Sequence, residues 1–189
     1  MAKKELFRGT WDLSLTQSGV EDAIRVGEAT EGKWDVIYHS NLGRTLRTAK
    51  CVQEFSPEAQ LISTPKLRPM SLGGLEGREV TDERIKTMNK VLRDTPDKPL
   101  PGISSKSDEP GESLNQFKKR VLTFLGKIED ERDPDERILL VTHYRNIQLV
   151  KSYLSEGEPD DLSIDLKMFF EHGSQKPGEL FWFDLGNRS

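Results

Sequence analysis

The sequence predicts an α/β fold built in three layers, with a mostly parallel sheet flanked by helices. Two observations carry this. Short runs of β-forming residues at Trp34–Tyr38, Ala59–Ser63 and Glu136–Thr142 alternate with longer stretches whose apolar residues recur at helical spacing. The second is length: 189 residues suit a single domain, 1–189, with a core of its own.

Thr16 is placed to cap a first helix running to about Ala29, with Val20, Ala23, Ile24 and Gly27 on one face. Gly32 ends that region, and Trp34–Tyr38 reads as a buried strand. A second helix is expected from about Gly43 to Phe55, then a strand at Ala59–Ser63. From Thr64 to Pro110 the chain turns rich in proline and glycine, interrupted by one helix with Val80, Ile85, Met88 and Val91 at helical spacing. Such a stretch reads as a lid-like insertion at about 64–110, packed over a site rather than forming a separate domain.

Ser113 and Gln116 form a capping box for a helix with Phe117, Val121, Phe124 and Leu125 on its apolar face. Glu136–Thr142 is the strongest strand signal. Helices are expected at Arg145–Leu154 and Pro159–Phe170, the latter stopped by Gly173, and a last strand at Glu179–Leu185.

Composition excludes several classes. Lys plus Arg total 28 against 32 Asp plus Glu, a formal charge of -4 with the signs interspersed, so no basic footprint for nucleic acid exists. No apolar run approaches a membrane span and no signal-peptide pattern follows the start, so no membrane partner is expected. A lone cysteine, Cys51, allows no intramolecular disulfide, and a cytoplasmic setting is the simplest expectation. His39, His143 and His172 lack metal-ligand spacing, and neither a metal nor a cofactor is expected. Gly27–Lys33 spells Gly-x-x-x-x-Gly-Lys, but Trp34 replaces the Ser/Thr and the segment leads into a strand instead of following one, so it is no P-loop.

Ligands of parallel sheets bind beyond the carboxyl ends of the strands. That rule singles out two turns. After the first strand comes Ser40-Asn41-Leu42-Gly43-Arg44-Thr45. An Arg in the first turn of a helix works against the helix dipole, yet it is well placed to help the helix N-terminus hold an anion. Read alone, an ordinary surface Arg is the stronger reading. After the later strand comes Val141-Thr142-His143-Tyr144-Arg145-Asn146. A His at a strand end can donate to a phosphoryl oxygen or trade protons, and it can equally be satisfied by nearby backbone. His39, beside Ser40, lies near the same presumed pocket.

Ser-x-x-x-Arg-Thr-x-x-Thr-Ala (Ser40–Ala49) followed later by Val141-Thr142-His143 resembles the histidine phosphatases, a phosphoglycerate mutase-like family. So do Asp12-Leu13-Ser14-Leu15-Thr16-Gln17-Ser18-Gly19, Leu72-Gly73-Gly74-Leu75-Glu76-Gly77, and Pro110-Gly111-Glu112-Ser113 with Phe117 and Arg120. Five such stretches in family order cover nearly the whole chain. The resemblance implies a phosphomonoesterase acting through a phosphohistidine, with a phosphorylated small molecule as its partner; a homo-oligomer stays open. By resemblance Arg44 and His143 clamp the phosphoryl oxygens and Ser40 belongs to the same substrate-binding turn. Tyr144 stands where the family has a small residue and narrows the pocket. Glu76 is a carboxylate near the place of the family's general acid, with a structural role preferred.

The sequence also departs from the family. It holds no Arg-His-Gly-x-Thr motif, the segment that carries the nucleophile. Arg8-Gly9 resembles the loop between that segment and the first helix. Three readings follow: a phosphomonoesterase whose start lies upstream, a non-catalytic descendant that binds phosphate or another anion, and a structural protein reusing the fold. The segment would supply the first core strand. Without it, its two neighbours in the sheet are expected to stand one strand too far apart to bond, since adjacent strands sit about 4.8 Å apart.

Overall fold

The computed structural model describes residues 5–101, 110–156, 166–170 and 178–182. The chain divides into two compact units. One, here the sheet unit, takes residues 12–68, 123–144 and 172–189; the other, the helical unit, takes 1–11, 69–122 and 145–171.

The sheet unit opens with helix α1 (Gln17–Ala29), capped as its sequence suggests: the Thr16 hydroxyl accepts from the Gly19 amide at 3.1 Å. Such a cap is worth about 1 kcal/mol. Strand β1 (Val36–Ser40), helix α2 (Gly43–Gln53) and strand β2 (Gln60–Thr64) follow as a β-α-β unit, and β3 (Ile138–Val141) returns from far along the chain. The strand order is β2-β1-β3, with both pairings parallel. Parallel neighbours need a crossover connection, which α2 provides between β1 and β2.

The expected gap in the sheet does not lie between the strands that carry the two motifs. β1 bonds directly to β3, with Tyr38 opposite Leu140 and His39 opposite Val141. Strand order in a parallel sheet is set by packing and not by chain order, so a strand late in sequence can sit beside an early one.

β1 begins two residues later than expected. Trp34 is buried beneath the sheet's start, its indole N–H donating to the Thr30 hydroxyl at 2.9 Å, and Asp35 uses its carboxylate on the Arg137 amide at 2.8 Å. The core of this unit gathers Trp34, Ile37, Ala49, Val52, Ala59 and Leu139, with Val26, Leu61, Val141 and Leu180 packed against it. Full burial of a side chain such as Ile37 stabilises by about 1.5–3 kcal/mol. α1 packs closely on the end of α2: a Cβ on Gly27 would come within 2.4 Å of the Phe55 ring, so only glycine fits there.

In the helical unit, residues 5–7 run antiparallel to 77–80, with bonds from the Phe7 amide to the Arg78 carbonyl and from the Val80 amide to the Glu5 carbonyl. Helix α3 (Asp82–Asp94) is capped by Thr81. Helix α4 (Leu114–Glu131) starts in this unit and ends in the sheet unit. The Ser113–Gln116 capping box forms as read, with the Ser113 amide on Gln116 Oε1 and the Gln116 amide on Ser113 Oγ. Ahead of it, Glu112 pairs with Arg120 through both carboxylate oxygens, at 2.8 and 2.7 Å. Helix α5 (Tyr144–Glu156) and the short α6 (Leu166–Phe170) complete the described elements, and Phe169 lies against Phe117. The expected helix from Pro159 and the end of the expected last strand lie largely outside the described residues; residues 179–182 are not a strand. No described helix is long and apolar enough to cross a membrane.

Candidate functional site

Because β1 and β3 are parallel and in register at His39 and Val141, the chain leaves both strands at the same edge. Ser40 closes β1, fully buried, and His143 follows β3 by two residues. Both belong to the sheet unit.

Helix α2 starts at Gly43 with Leu42 as its N-cap, and the Leu42 side chain makes no capping hydrogen bond. Two polar groups serve instead. The Gly43 amide donates to Asp12 Oδ1 at 2.7 Å, and the Leu42 amide reaches Ser40 Oγ at 3.4 Å. Arg44 is the next residue of the helix, so a guanidinium, a helix N-terminus and a strand-end hydroxyl share one place.

The hydroxyl network fixes how His143 is held. Thr45 Oγ1 lies 2.8 Å from the Ser40 carbonyl and 2.9 Å from the Leu42 carbonyl, and carbonyls only accept. Thr45 therefore spends its single hydrogen on backbone. The 2.6 Å contact between Ser40 Oγ and Thr45 Oγ1 is then donated by Ser40. With its own hydrogen used, Ser40 Oγ accepts from His143 Nε2 at 2.9 Å. The other ring nitrogen, Nδ1, accepts from Arg44 Nη2 at 3.5 Å, since a guanidinium is donor-only. These contacts suit a ring that carries a proton on Nε2, an assignment made from the hydrogen-bond network.

This arrangement also says what Ser40 is not. A serine activated for attack donates its proton to a base. Ser40 donates to Thr45 and accepts from the imidazole, so its hydroxyl is not arranged to give its proton to His143.

His39 is buried at 3 % exposure, and its Nδ1 donates to the Ser40 carbonyl at 2.7 Å. Tyr144 is the first residue of α5 and half-buried. Glu76 and Arg8 belong to the helical unit. There Glu76 accepts from the Thr10 amide (3.0 Å) and hydroxyl (2.9 Å) and from the Leu72 amide (3.0 Å), tying the 8–11 turn to the stretch before α3. Arg8 is exposed, its carbonyl accepting from the Trp11 amide. His172 lies outside the described residues. Among the described residues, no three His, Cys, Asp or Glu side chains gather as a metal site.

Sequence reading did not single out Thr45 or Asp12 as functional residues. Thr45 carried a signal, a hydroxyl five residues after Ser40 in the same motif. Asp12 carried its place at the head of the family-like stretch Asp12–Gly19 that enters the first helix.

A buried strand-end serine and a strand-end histidine meet beside an Arg-bearing helix start. Residues 1–168 match the histidine phosphatase superfamily (branch 1), and the chain belongs to that superfamily. Its relatives are phosphatases and mutases. It is 32% identical over 155 residues to a 2,3-bisphosphoglycerate-dependent phosphoglycerate mutase of Parvibaculum lavamentivorans, covering 77% of this chain and 70% of that enzyme. It is 25% identical over 154 residues to an uncharacterized phosphatase, PhoE, of Bacillus subtilis, covering 81% and 70%. Among solved structures, the fold is similar to a mycobacterial glucosyl-3-phosphoglycerate phosphatase in complex with inorganic phosphate. That match has a TM-score of 0.60 and 19% identity, covering 85% of this chain and 78% of that one.

Proposed function

We propose that the sheet unit binds the phosphoryl group of a phosphomonoester at Ser40, Arg44 and His143, as the clamp of a histidine-phosphatase-type site. The observation that carries this is the joining of two turns 103 residues apart through Ser40 Oγ and His143 Nε2. Arg44 offers a planar fork of donors to phosphoryl oxygens. The start of α2 adds its dipole. An incoming anion accepts the hydrogen bond from Nε2–H that Ser40 now accepts. Tyr144 lies directly after the clamp histidine and narrows its approach.

Phosphoryl transfer through a phosphohistidine needs a second, nucleophilic imidazole. Among the described residues, His39 is buried on backbone and His143 is engaged in the clamp. These residues therefore supply binding and charge stabilisation, not the attacking group. The described residues thus account for anion binding, and negligible turnover of an aryl phosphate is the expected result for the 189-residue chain.

The test titrates the purified chain with inorganic phosphate and orthovanadate by NMR, alongside hydrolysis of an aryl phosphate. Shifts localised to the Gly43, Arg44 and His143 resonances without turnover support the reading. Absence of binding at millimolar phosphate sinks it. Turnover that survives both Arg44→Ala and His143→Ala places the chemistry elsewhere, and turnover lost on His39→Ala makes His39 the nucleophile.

A further inference from the structure

We infer that Asp12 is a positioning residue that sets the strength of the anion site, holding the start of α2 in place while opposing the charge of whatever binds there; this rests on the proposed phosphoryl-binding reading. Helix α2 has no cap from its own N-cap side chain. Asp12, 31 residues away in sequence, supplies one through its 2.7 Å bond from the Gly43 amide. Glycine at position 43 makes room for it: a Cβ there would sit 3.3 Å from Asp12 Oδ1, tighter than ordinary contact.

Two consequences follow from one carboxylate. As an acceptor, it fixes the helix start that carries Arg44 and Thr45. As a negative charge, it occupies the end of the helix dipole that would otherwise favour a phosphoryl group, and it lies one residue from the Arg44 backbone. Asp12 is exposed, so both effects act at the rim of the cluster and the second is screened by salt.

Asparagine separates the two roles, because it keeps an acceptor oxygen of the same reach and drops the charge. Asp12→Asn is expected to tighten binding of inorganic phosphate about two- to fivefold at low ionic strength. The gain is expected to vanish in about 1 M sodium chloride, where the screening length is about 3 Å. Asp12→Ala is expected to raise the exchange rate of the Gly43 amide about fivefold, whereas Asp12→Asn leaves it protected. Unchanged or weaker phosphate binding in Asp12→Asn overturns the charge role. A gain that persists in high salt overturns it too, because a change of shape is not screened. Equal Gly43 exchange in Asp12→Ala and the parent overturns the positioning role. Should the parent bind no phosphate, the proposed function fails and the charge role with it, while amide exchange still decides the positioning role.

Discussion

Ser40 accepts a hydrogen bond from His143, and does not donate one, across the 2.9 Å between Oγ and Nε2. The direction follows from Thr45, whose only hydrogen goes to backbone. The long-range proton–nitrogen NMR spectrum of His143 should therefore show a neutral ring with its proton on Nε2. A ring protonated on Nδ1 would reverse the network and make Ser40 a donor to its base. Ser40→Ala should cost about 1–2 kcal/mol in urea unfolding, because the Nε2–H then loses its acceptor.

Arg44 should matter through its geometry as well as its charge. Arg44→Ala should take phosphate binding below detection. Arg44→Lys keeps the charge but not the planar fork, and should weaken binding about tenfold. Cys51 is buried on the same helix at 2 % exposure, and Cys51→Ala should leave binding unchanged. Titration calorimetry of the three variants reads all of these. Equal binding by Arg44→Lys and the parent would mean that Arg44 acts as a point charge alone.

The placements legible in the sequence were the local ones. Arg44 and His143 each sit on a strand-end turn that can be read from neighbouring residues. The Thr16 and Ser113 caps were legible for the same reason. Asp12 was not, because its partner Gly43 is reached only through folding. Thr45 was visible in its motif, but its influence on the histidine proton passes through Ser40. The adjacency of β1 and β3 was hidden because hydrophobic patterning specifies that a strand is buried, not which strand lies beside it. The late start of β1 was hidden because Trp34 reads as a strand former, while its indole is committed to Thr30.

Glu76 should behave as a tether. Glu76→Ala removes the acceptor for the Thr10 amide and hydroxyl and the Leu72 amide. The expected cost is about 2–3 kcal/mol, with faster hydrogen exchange at Thr10 and Leu72. Normal protection at both amides in that variant would show that the 8–11 turn is held by other contacts.

Asp35 should contribute a small acid-sensitive component to stability. Hydrogen bonds from the Arg137 side chain and amide hold its carboxyl below its ordinary value of 3.8. A carboxyl depressed in the folded state stabilises above its unfolded value, and that contribution is lost as pH falls below about 4. The pair is largely exposed, so the amount lies within about 1 kcal/mol. Asp35→Asn should lower stability slightly near neutrality, by no more than that amount, and flatten the stability profile in the acid window, as followed by unfolding at a series of pH values.

The indoles of Trp34 and Trp182 stack with centroids 5.1 Å apart and planes 14° from parallel. Rings that close couple their electronic transitions, so this pair should give a split band in far-ultraviolet circular dichroism that vanishes when residues 34 and 182 separate. Trp11, the third tryptophan of the sequence, belongs to the helical unit and packs over Gly77. The coupled band therefore belongs to the sheet unit and Trp11 to the helical unit, and a denaturation curve followed at the band and at Trp11 emission reports whether the two melt together or in turn.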